Sequence, residues 1–472
     1  MTKSFIRLIF LSFLTLLFAN PVGAQTLHKY AFYFKSKDHN LEEFIPETYF
    51  SPRTIARRIK NNAAYTEEDL PVSSTNLQKC SSLGLEIIGV SRWRNCAIIK
   101  SLDSLDLAKL EKLEWIDHVE YIYRGGPTKK TSSREVFQHA RAKKQSYNGT
   151  SLCKKVHYWK AADQASMLKV DYLHNKNNFA KNIHIAIFDG GFSNVDKIKA
   201  FDHLFSESRI LKTWDFVSQE EEVFGDGDHG TRVLACIAGF EKNQYMGNAP
   251  GASLYLFRTE DGRSETIMEE YNWLLAAEFS DSAGVDVVNS SLGYTEYDEG
   301  QPNSYSYSYK KLNGQNGIAS FAAQKLAERG VAVCNSAGNS GNDPWRFIGV
   351  PADANGIFSV GAVDRQKNRA PFSSYGPTSD GRIKPDICAL GASSCVIGSD
   401  GRVSYSSGTS FSSPIFCGAL ACFIGANYKV SLEKIYRAVI ESSSSFTSPD
   451  NSTGYGIPDF KKASELLNSL NP

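Results

Sequence analysis

Hydrophobic and polar positions follow a clear rhythm beyond residue 155, where short apolar runs alternate with amphipathic stretches. The apolar runs are four or five residues long and rich in Val, Ile, Leu and Phe, which predicts buried strands. In the stretch 265–280, Ile267, Tyr271 and Leu274 follow the spacing of a helix, and residues 319–329 form a second such stretch. The strand candidates are residues 184–188, 253–257, 285–288, 331–334 and 357–360. Alternating strands and helices predict an α/β fold, a parallel sheet with helices on both faces and functional groups at the carboxyl ends of its strands.

The first part of the chain has its own pattern of strands and helices. Residues 28–124 alternate strand-like runs such as HKYAFYFK with short helical stretches, which predicts a small α+β domain over residues 25–125. Residues 126–155 are polar and basic and are interpreted as an exposed linker. The larger α/β domain is then expected to span residues 156–472.

The N-terminus has the order of a secretory signal. Lys3 and Arg7 precede an apolar run over residues 8–19, and small residues up to Ala24 follow. The run is shorter than the roughly 20 residues that a membrane span needs, so an uncleaved anchor is disfavoured. We expect residues 1–24 to be a signal peptide cut after Ala24, no membrane span in the mature chain, and a secreted or periplasmic location.

Composition narrows the function further. The chain has 472 residues, with 52 Lys and Arg against 51 Asp and Glu, so its net charge of +1 offers no field for nucleic acid. Nine cysteines are scattered without a CxxC pair, which disfavours a zinc site. Because the number is odd, at least one thiol stays unpaired within a monomer; a bridge between Cys388 and Cys395 is left open.

Three short motifs carry residue types that are used in nucleophilic catalysis. Asp189 directly follows an apolar strand and precedes Gly190 and Gly191, His229 begins an amphipathic helix, and Ser410 lies in GTSFSSP at the start of an apolar helix. Each motif alone is as compatible with a turn or a helix cap as with a catalytic role. Together, in the order Asp, His, Ser, they indicate a catalytic triad.

With these motifs the chain resembles the subtilisin-like serine peptidases over about residues 183–462. The resemblance implies that Ser410 is the nucleophile, that His229 accepts its proton and that Asp189 orients the imidazole. Asn339, in NSAGNSG, matches the family's oxyanion-stabilising amide, and the backbone N–H of Ser410 would be the second donor. The fold and the activity of a serine endopeptidase, which forms an acyl-enzyme on Ser410, are then expected.

The same resemblance assigns the substrate-binding residues. DVVNSSLGY matches the family's edge segment, which pairs with an extended peptide by strand addition. Gly349 would lie near the base of the primary specificity pocket and leave room for large apolar or aromatic side chains. The remaining predicted substrate-binding residues are Ser291, Leu292 and Gly293 on the edge and Ser336, Ala337 and Gly338 on one pocket wall.

Residues 25–125 resemble the inhibitory propeptides of the family, which implies a zymogen that removes its own propeptide. The expected partners are therefore polypeptide substrates and the chain's own propeptide as an intramolecular inhibitor. The enzyme is expected to be a monomer. No cofactor and no metal ligand is assigned. Structural calcium is common in the family and is left open, because acidic residues such as Asp226 and Asp228 lack a recognisable ligand spacing.

Three other classes of function fit the sequence less well than a serine peptidase. A peptide-binding module on the same fold would be expected to have lost a triad residue or Asn339, and all four are present. An α/β-hydrolase esterase or lipase should have G-x-S-x-G and the order Ser, acid, His, whereas the sequence around Ser410 is G-T-S-F-S. A cysteine peptidase is disfavoured because no cysteine accompanies a suitable histidine motif.

Overall fold

A computed structural model describes residues 26–125, 156–303 and 306–470 of the chain. The predicted signal peptide and the whole of the predicted linker, including Cys153, lie outside these residues. The predicted alternation of strands and helices is present on both sides of the linker.

The N-terminal region, residues 26–125, forms a four-stranded antiparallel sheet with the order β2-β3-β1-β4. Its strands and helices are β1 His28–Phe34, α1 Pro52–Lys60, α2 Ser74–Ser82, β2 Glu86–Ser91, β3 Cys96–Ser101, α3 Leu107–Leu110 and β4 Ile116–Arg124. The helices of this region are short, and α3 has only four residues. Strand β1 is buried along its whole length because its two faces contact different cores. Tyr30 and Phe32 pack inside the N-terminal region, whereas Ala31 and Tyr33 pack against the rest of the protein.

The C-terminal region, residues 156–470, is built on a seven-stranded sheet with the order β13-β12-β11-β10-β5-β9-β6, all neighbours being parallel. Its strands are β5 His184–Asp189, β6 Ile210–Asp215, β7 Phe240–Glu241, β8 Tyr245–Met246, β9 Ser253–Arg258, β10 Val287–Ser290, β11 Ala332–Ser336, β12 Phe358–Val363, β13 Ile387–Leu390, β14 Ser394–Ile397 and β15 Val403–Ser406. The chain passes from β5 to the β6–β9 side and then returns to β10 on the other side of β5. This reversal of strand order opens a crevice at the carboxyl end of β5, where ligands of α/β sheets bind.

Helices cover both faces of this sheet, as the sequence pattern predicts. They are α4 Ala162–Met167, α5 Val170–His174, α6 Asp202–Ser206, α7 His229–Ala238, α8 Ile267–Ala283, α9 Ile318–Glu328, α10 Thr409–Ala426, α11 Leu432–Ser442 and α12 Phe460–Leu470. Helices α7 and α10 belong to the core on one face, and α8 and α9 to the core on the other. The N-terminal region covers α8 from outside: the Tyr271 hydroxyl lies 2.7 Å from that of Tyr33, and Leu275 packs beside Gly89, so this face of the helix is buried as well.

Helix α10 is long and apolar enough to cross a membrane by length and composition alone, which the sequence analysis did not anticipate. Because 89% of that stretch is buried within the fold, it has the character of a core helix. The eight cysteines of the described residues are all buried and free, so Cys388 and Cys395 are not bridged. Burial raises the pKa of the Cys388 and Cys395 thiols to about 12, which keeps them protonated and unreactive.

Candidate active site

Asp189 is the last residue of β5 and lies at the crevice, fully buried. Its Oδ1 atom accepts hydrogen bonds from His229 Nδ1 at 2.7 Å and from the backbone N–H of Gly190 at 2.8 Å. Gly191 has φ +132°, and a Cβ there would lie 1.9 Å from the carbonyl oxygen of Asp226. Only glycine therefore allows the loop that leads to His229 to pack against the turn after Asp189.

His229 is the first residue of α7, and its side chain is 17% exposed. Because Nδ1 faces Asp189, Nε2 is the ring nitrogen on the opposite side. The ring centroid of His229 is 5.9 Å from that of Phe411, the residue after Ser410. The imidazole thus lies between the buried carboxylate and the start of α10.

Ser410 is the second residue of α10 and is buried. Its hydroxyl donates to the carbonyl oxygen of Ser291 at 3.4 Å, while the Ser291 hydroxyl donates to the carbonyl oxygen of Ser410 at 2.9 Å. At the N-terminus of an 18-residue helix, the backbone N–H groups and the helix dipole favour negative charge. The serine is therefore placed where an anion that forms beside it would be stabilised.

Asn339 approaches the same helix end from the loop after β11. Its Oδ1 atom accepts hydrogen bonds from the backbone N–H of Thr409 at 2.8 Å and from the Thr409 hydroxyl at 3.0 Å. These two bonds fix the amide so that Nδ2 is its donor end, 3.7 Å from where a Cβ of Gly408 would lie. An amide held in this way can donate to negative charge near Ser410 without reorganising.

The segment of Ser291, Leu292 and Gly293 follows β10 and is held on one side by β11. The Leu292 carbonyl accepts from Asn335 Nδ2 at 3.1 Å and from the Ser336 hydroxyl at 3.3 Å. On its other side, the Ser291 carbonyl accepts from the Ser410 hydroxyl, so the segment runs between β11 and the start of α10. The arrangement suits pairing with an extended peptide.

The predicted pocket residues lie beside this edge. Ala337 donates its backbone N–H to Val360 at 3.0 Å, and Gly338 donates its backbone N–H to the Thr409 hydroxyl at 3.1 Å. The structure thus joins the loop from Ser336 to Gly338 to the start of α10.

The structure offers a packing reason for glycine at position 349, beside the one expected from the sequence. A Cβ there would lie 2.9 Å from Thr295 Cγ2 and 3.0 Å from the carbonyl oxygen of Tyr294. The glycine therefore allows two segments to approach closely, and the space beside its Cα is filled by protein rather than open to a substrate.

Sequence reasoning missed a group of three carboxylates near the crevice: Glu260, Glu265 and Glu269 have oxygens within 4.8 Å of one another. Glu265 and Glu269 are four residues apart at the start of α8, a spacing that could have indicated the group. Glu269 accepts from the backbone N–H groups of Asp261 and Thr266, both at 2.9 Å, as part of a helix cap. Burial raises its pKa well above the ordinary value. Both oxygens of Glu269 are already hydrogen-bond acceptors for backbone groups, and Ca²⁺ takes six to eight oxygens, so these three residues do not by themselves fit the ion.

A carboxylate, an imidazole and a serine hydroxyl at the carboxyl edge of a parallel sheet are the groups that triad-type serine hydrolases use. The sequence profile of the subtilase family matches residues 180–456, which include all three groups and Asn339. The chain therefore belongs to the subtilase family. A second profile, the peptidase S8 propeptide domain of Bacteroidota, matches residues 29–138, beyond the end of β4 and into the segment predicted to be a linker.

Individual relatives show the same similarity at lower coverage. Human membrane-bound transcription factor site-1 protease is 28% identical over 320 residues, which is 65% of this chain and 27% of the relative. Subtilisin NAT from Bacillus subtilis subsp. natto is 26% identical over 306 residues, 64% of this chain and 70% of the relative. Serine protease AprX from Bacillus subtilis is 27% identical over 303 residues, 58% of this chain and 64% of the relative. The match thus spans about a quarter of the human protease and about two thirds of the bacterial ones.

Proposed function

We propose that the chain is a secreted serine endopeptidase, made as a zymogen, with Asp189, His229 and Ser410 as its triad. The observation that carries the proposal is the 2.7 Å bond between Asp189 and His229 Nδ1, which holds the imidazole beside the helix end that bears Ser410. The family membership supports the same activity. Peptide bonds are the proposed substrate.

In the first half of the reaction, Ser410 Oγ attacks the carbonyl carbon and its proton passes to His229 Nε2. Asp189 holds the tautomer that leaves Nε2 able to accept, and it stabilises the imidazolium. The oxyanion would be bound by the backbone N–H of Ser410 and by Asn339 Nδ2. His229 then gives the proton to the leaving amine, so that an ester on Ser410 remains. Water repeats these steps and releases the acid.

Substrate binding is proposed at the edge formed by Ser291, Leu292 and Gly293, with Ser336, Ala337 and Gly338 as a pocket wall. From the resemblance to the family, we propose that the pocket prefers a large apolar or aromatic side chain before the scissile bond. Because Gly349 packs against Thr295 and Tyr294, its proposed role is to shape the pocket base through that contact.

Residues 25–125 are proposed to be the propeptide, which inhibits the enzyme until it is cut off. In support, the end of β4 is bonded to the segment after the substrate edge. Arg124 donates its backbone N–H to Gln301 Oε1 at 3.0 Å and accepts from Gln301 Nε2 at 2.9 Å. The last described residues of the N-terminal region therefore contact the segment that follows the substrate edge. Cleavage after Ala24, export and a monomeric mature enzyme complete the proposal.

The test uses the chain from residue 25, purified beside Ser410→Ala and a matched control, Ser413→Ala. Ser413 is also buried on α10, where its hydroxyl donates to Asn289 at 2.9 Å. We expect wild type and Ser413→Ala to lose the propeptide and digest casein, while Ser410→Ala stays full length and inert. If wild type and Ser410→Ala are equally inactive over a range of pH and calcium concentration, the peptidase proposal fails and a peptide-binding module takes its place.

A further inference from the structure

Glu260 lies between the Asp189 turn and the substrate edge, although it belongs to neither. It follows β9, which pairs in parallel with β5 so that Arg258 is opposite Asp189. The next residue, Thr259, donates its backbone N–H to the carbonyl oxygen of Asp189 at 3.0 Å. Glu260 Cβ would be 3.8 Å from a Cβ built on Gly190. This glutamate is therefore anchored against the turn that carries the proposed catalytic aspartate.

The carboxyl group of Glu260 reaches Tyr294 on the other side of the crevice. Its Oε1 atom accepts from the Tyr294 hydroxyl at 2.7 Å and from the Thr259 hydroxyl at 2.9 Å. Tyr294 directly follows Gly293 and is 1% exposed. It also pairs with Val350 through two backbone hydrogen bonds, of 2.7 and 3.1 Å, next to Gly349. One side-chain bond thus connects the Asp189 turn with the end of the substrate edge and with the pocket base.

We propose that Glu260 is a positioning residue for peptide hydrolysis: its bond to the Tyr294 hydroxyl sets the spacing between the Asp189 turn and the edge of Ser291, Leu292 and Gly293. This inference rests on the proposed function. Strand addition needs an edge held at a fixed position, because its backbone groups bind an extended peptide only when they match the spacing of the peptide's own groups. A buried hydrogen bond to a carboxyl group has the strength to hold such an edge.

Glu260 also acts through its charge. It faces Asp189 from β5, Tyr294 from the segment after β10, Glu265 just before α8, and Glu269 and Glu270 in the first turn of α8. Burial, together with the charges of Asp189 and Glu270, raises the pKa of Glu260 to about 7. The proton of this group therefore comes off at neutral pH, and the Tyr294 hydroxyl can donate to it in either state. Its ionisation places a second negative charge near the Asp189–His229 pair.

The positional part is tested with Tyr294→Phe, using a tetrapeptide p-nitroanilide ending in phenylalanine and an N-acylated phenylalanine ester. The tetrapeptide occupies the edge, whereas the ester does not reach it. We expect KM for the tetrapeptide to rise about five- to tenfold with kcat within twofold, and the ester kinetics to stay within twofold. Glu260→Ala should reproduce this pattern, and Glu260→Gln, whose amide oxygen still accepts, should restore the wild-type KM.

The matched control is Tyr297→Phe, since the Tyr297 hydroxyl also donates to a buried glutamate, in this case Glu270 of α8. Its KM for both substrates should remain at the wild-type value. If Tyr294→Phe and Glu260→Ala leave the tetrapeptide KM unchanged while Ser410-dependent hydrolysis is present, the inference is overturned and the proposed function stands. An absence of Ser410-dependent hydrolysis in wild type would overturn both.

The charge is tested by the pH dependence of kcat/KM in Glu260→Gln. Without the second negative charge, the imidazolium of His229 is less stable. The acid limb of the kcat/KM profile should therefore lie about 0.5 pH unit lower in Glu260→Gln than in wild type. A merely structural residue would not move this limb when its hydrogen bond is preserved. Superimposable pH profiles for wild type and Glu260→Gln would remove the electrostatic part of the inference.

Discussion

Arg58 of the N-terminal region and Asp281 of α8 form a buried ion pair, with Arg58 Nη2 2.8 Å from Asp281 Oδ2. Arg58 also binds Asp69 of its own region through two hydrogen bonds, of 2.8 and 3.0 Å. Arg57 and Arg92 contact the same Asp281, at 2.5 and 3.1 Å. The N-terminal region is thus bound to α8 by several arginines that share one carboxylate, outside the crevice itself.

Asp281→Ala in the mature enzyme should weaken inhibition by added N-terminal region by about 10² or more. Removal of one partner of a buried pair costs about 3 kcal/mol or more, and here the arginines would lose their shared carboxylate on binding. The measurement is the inhibition constant of residues 26–125 against casein hydrolysis. Glu465→Ala is the control, because its pair with Lys461 is exposed and its loss should change the constant less than threefold. An unaltered constant for Asp281→Ala would contradict this role of the ion pair.

Binding of the N-terminal region should also weaken as pH rises. Glu278 accepts hydrogen bonds from the Ser91 hydroxyl and from the backbone N–H groups of Arg92 and Trp93, and burial raises its pKa. A raised pKa in the complex means that the proton is held more tightly there than in the separated enzyme. The contribution of Glu278 to binding is therefore complete below the ordinary pKa of 4.5. It is lost as the pH rises through the raised pKa that Glu278 has in the complex.

The inhibition constant of the N-terminal region should accordingly increase with pH above about 4.5 in wild type. In Glu278→Gln, whose single amide oxygen can still accept from Ser91 and Trp93 but not also from Arg92, inhibition should be weaker overall and the constant should vary less with pH over the same interval. Tighter inhibition at higher pH would contradict the assignment to Glu278.

Asn339→Ala should lower kcat by roughly 10² to 10³ with little change in KM, because the amide is proposed to meet charge that develops only in the transition state. Thr409→Val should lower kcat by about tenfold or less, since the backbone N–H of residue 409 still donates to the amide oxygen of Asn339. Steady-state kinetics on the tetrapeptide p-nitroanilide check both variants. An effect of Asn339→Ala confined to KM would instead indicate a substrate contact.

Asp189→Asn should lower kcat by about 10⁴ while the fold is retained, because an asparagine amide favours the wrong imidazole tautomer. The control is Asp228→Asn, just before His229, where the aspartate is half exposed and pairs with Arg232. This control should stay within about threefold of wild type. Thermal unfolding of each variant verifies that a loss of turnover is not a loss of structure. Turnover of Asp189→Asn within tenfold of wild type would argue against the triad.

Local patterns of sequence were sufficient for the elements that carry the proposed triad. Asp189 ends a strand, His229 begins α7 and Ser410 lies in the first turn of α10, as the apolar runs beside them predicted. These positions are readable because strand and helix boundaries depend on neighbouring residues and on the burial of one face or stripe. The placing of parallel strands between helices followed from the same alternation.

The tertiary structure alone decided which distant groups meet. Glu260 reaches Tyr294 across 34 positions, and Arg58 reaches Asp281 across 223, with no periodic signal that relates either pair. The close packing of Gly349 against Thr295 likewise has no signal in the sequence, because it joins two distant segments. Hydrophobic spacing specifies which face of an element is buried, whereas polar partners depend on how those faces are finally stacked. The sequence therefore determined the elements and their chemical groups, and the packing of the two regions determined the bonds among them.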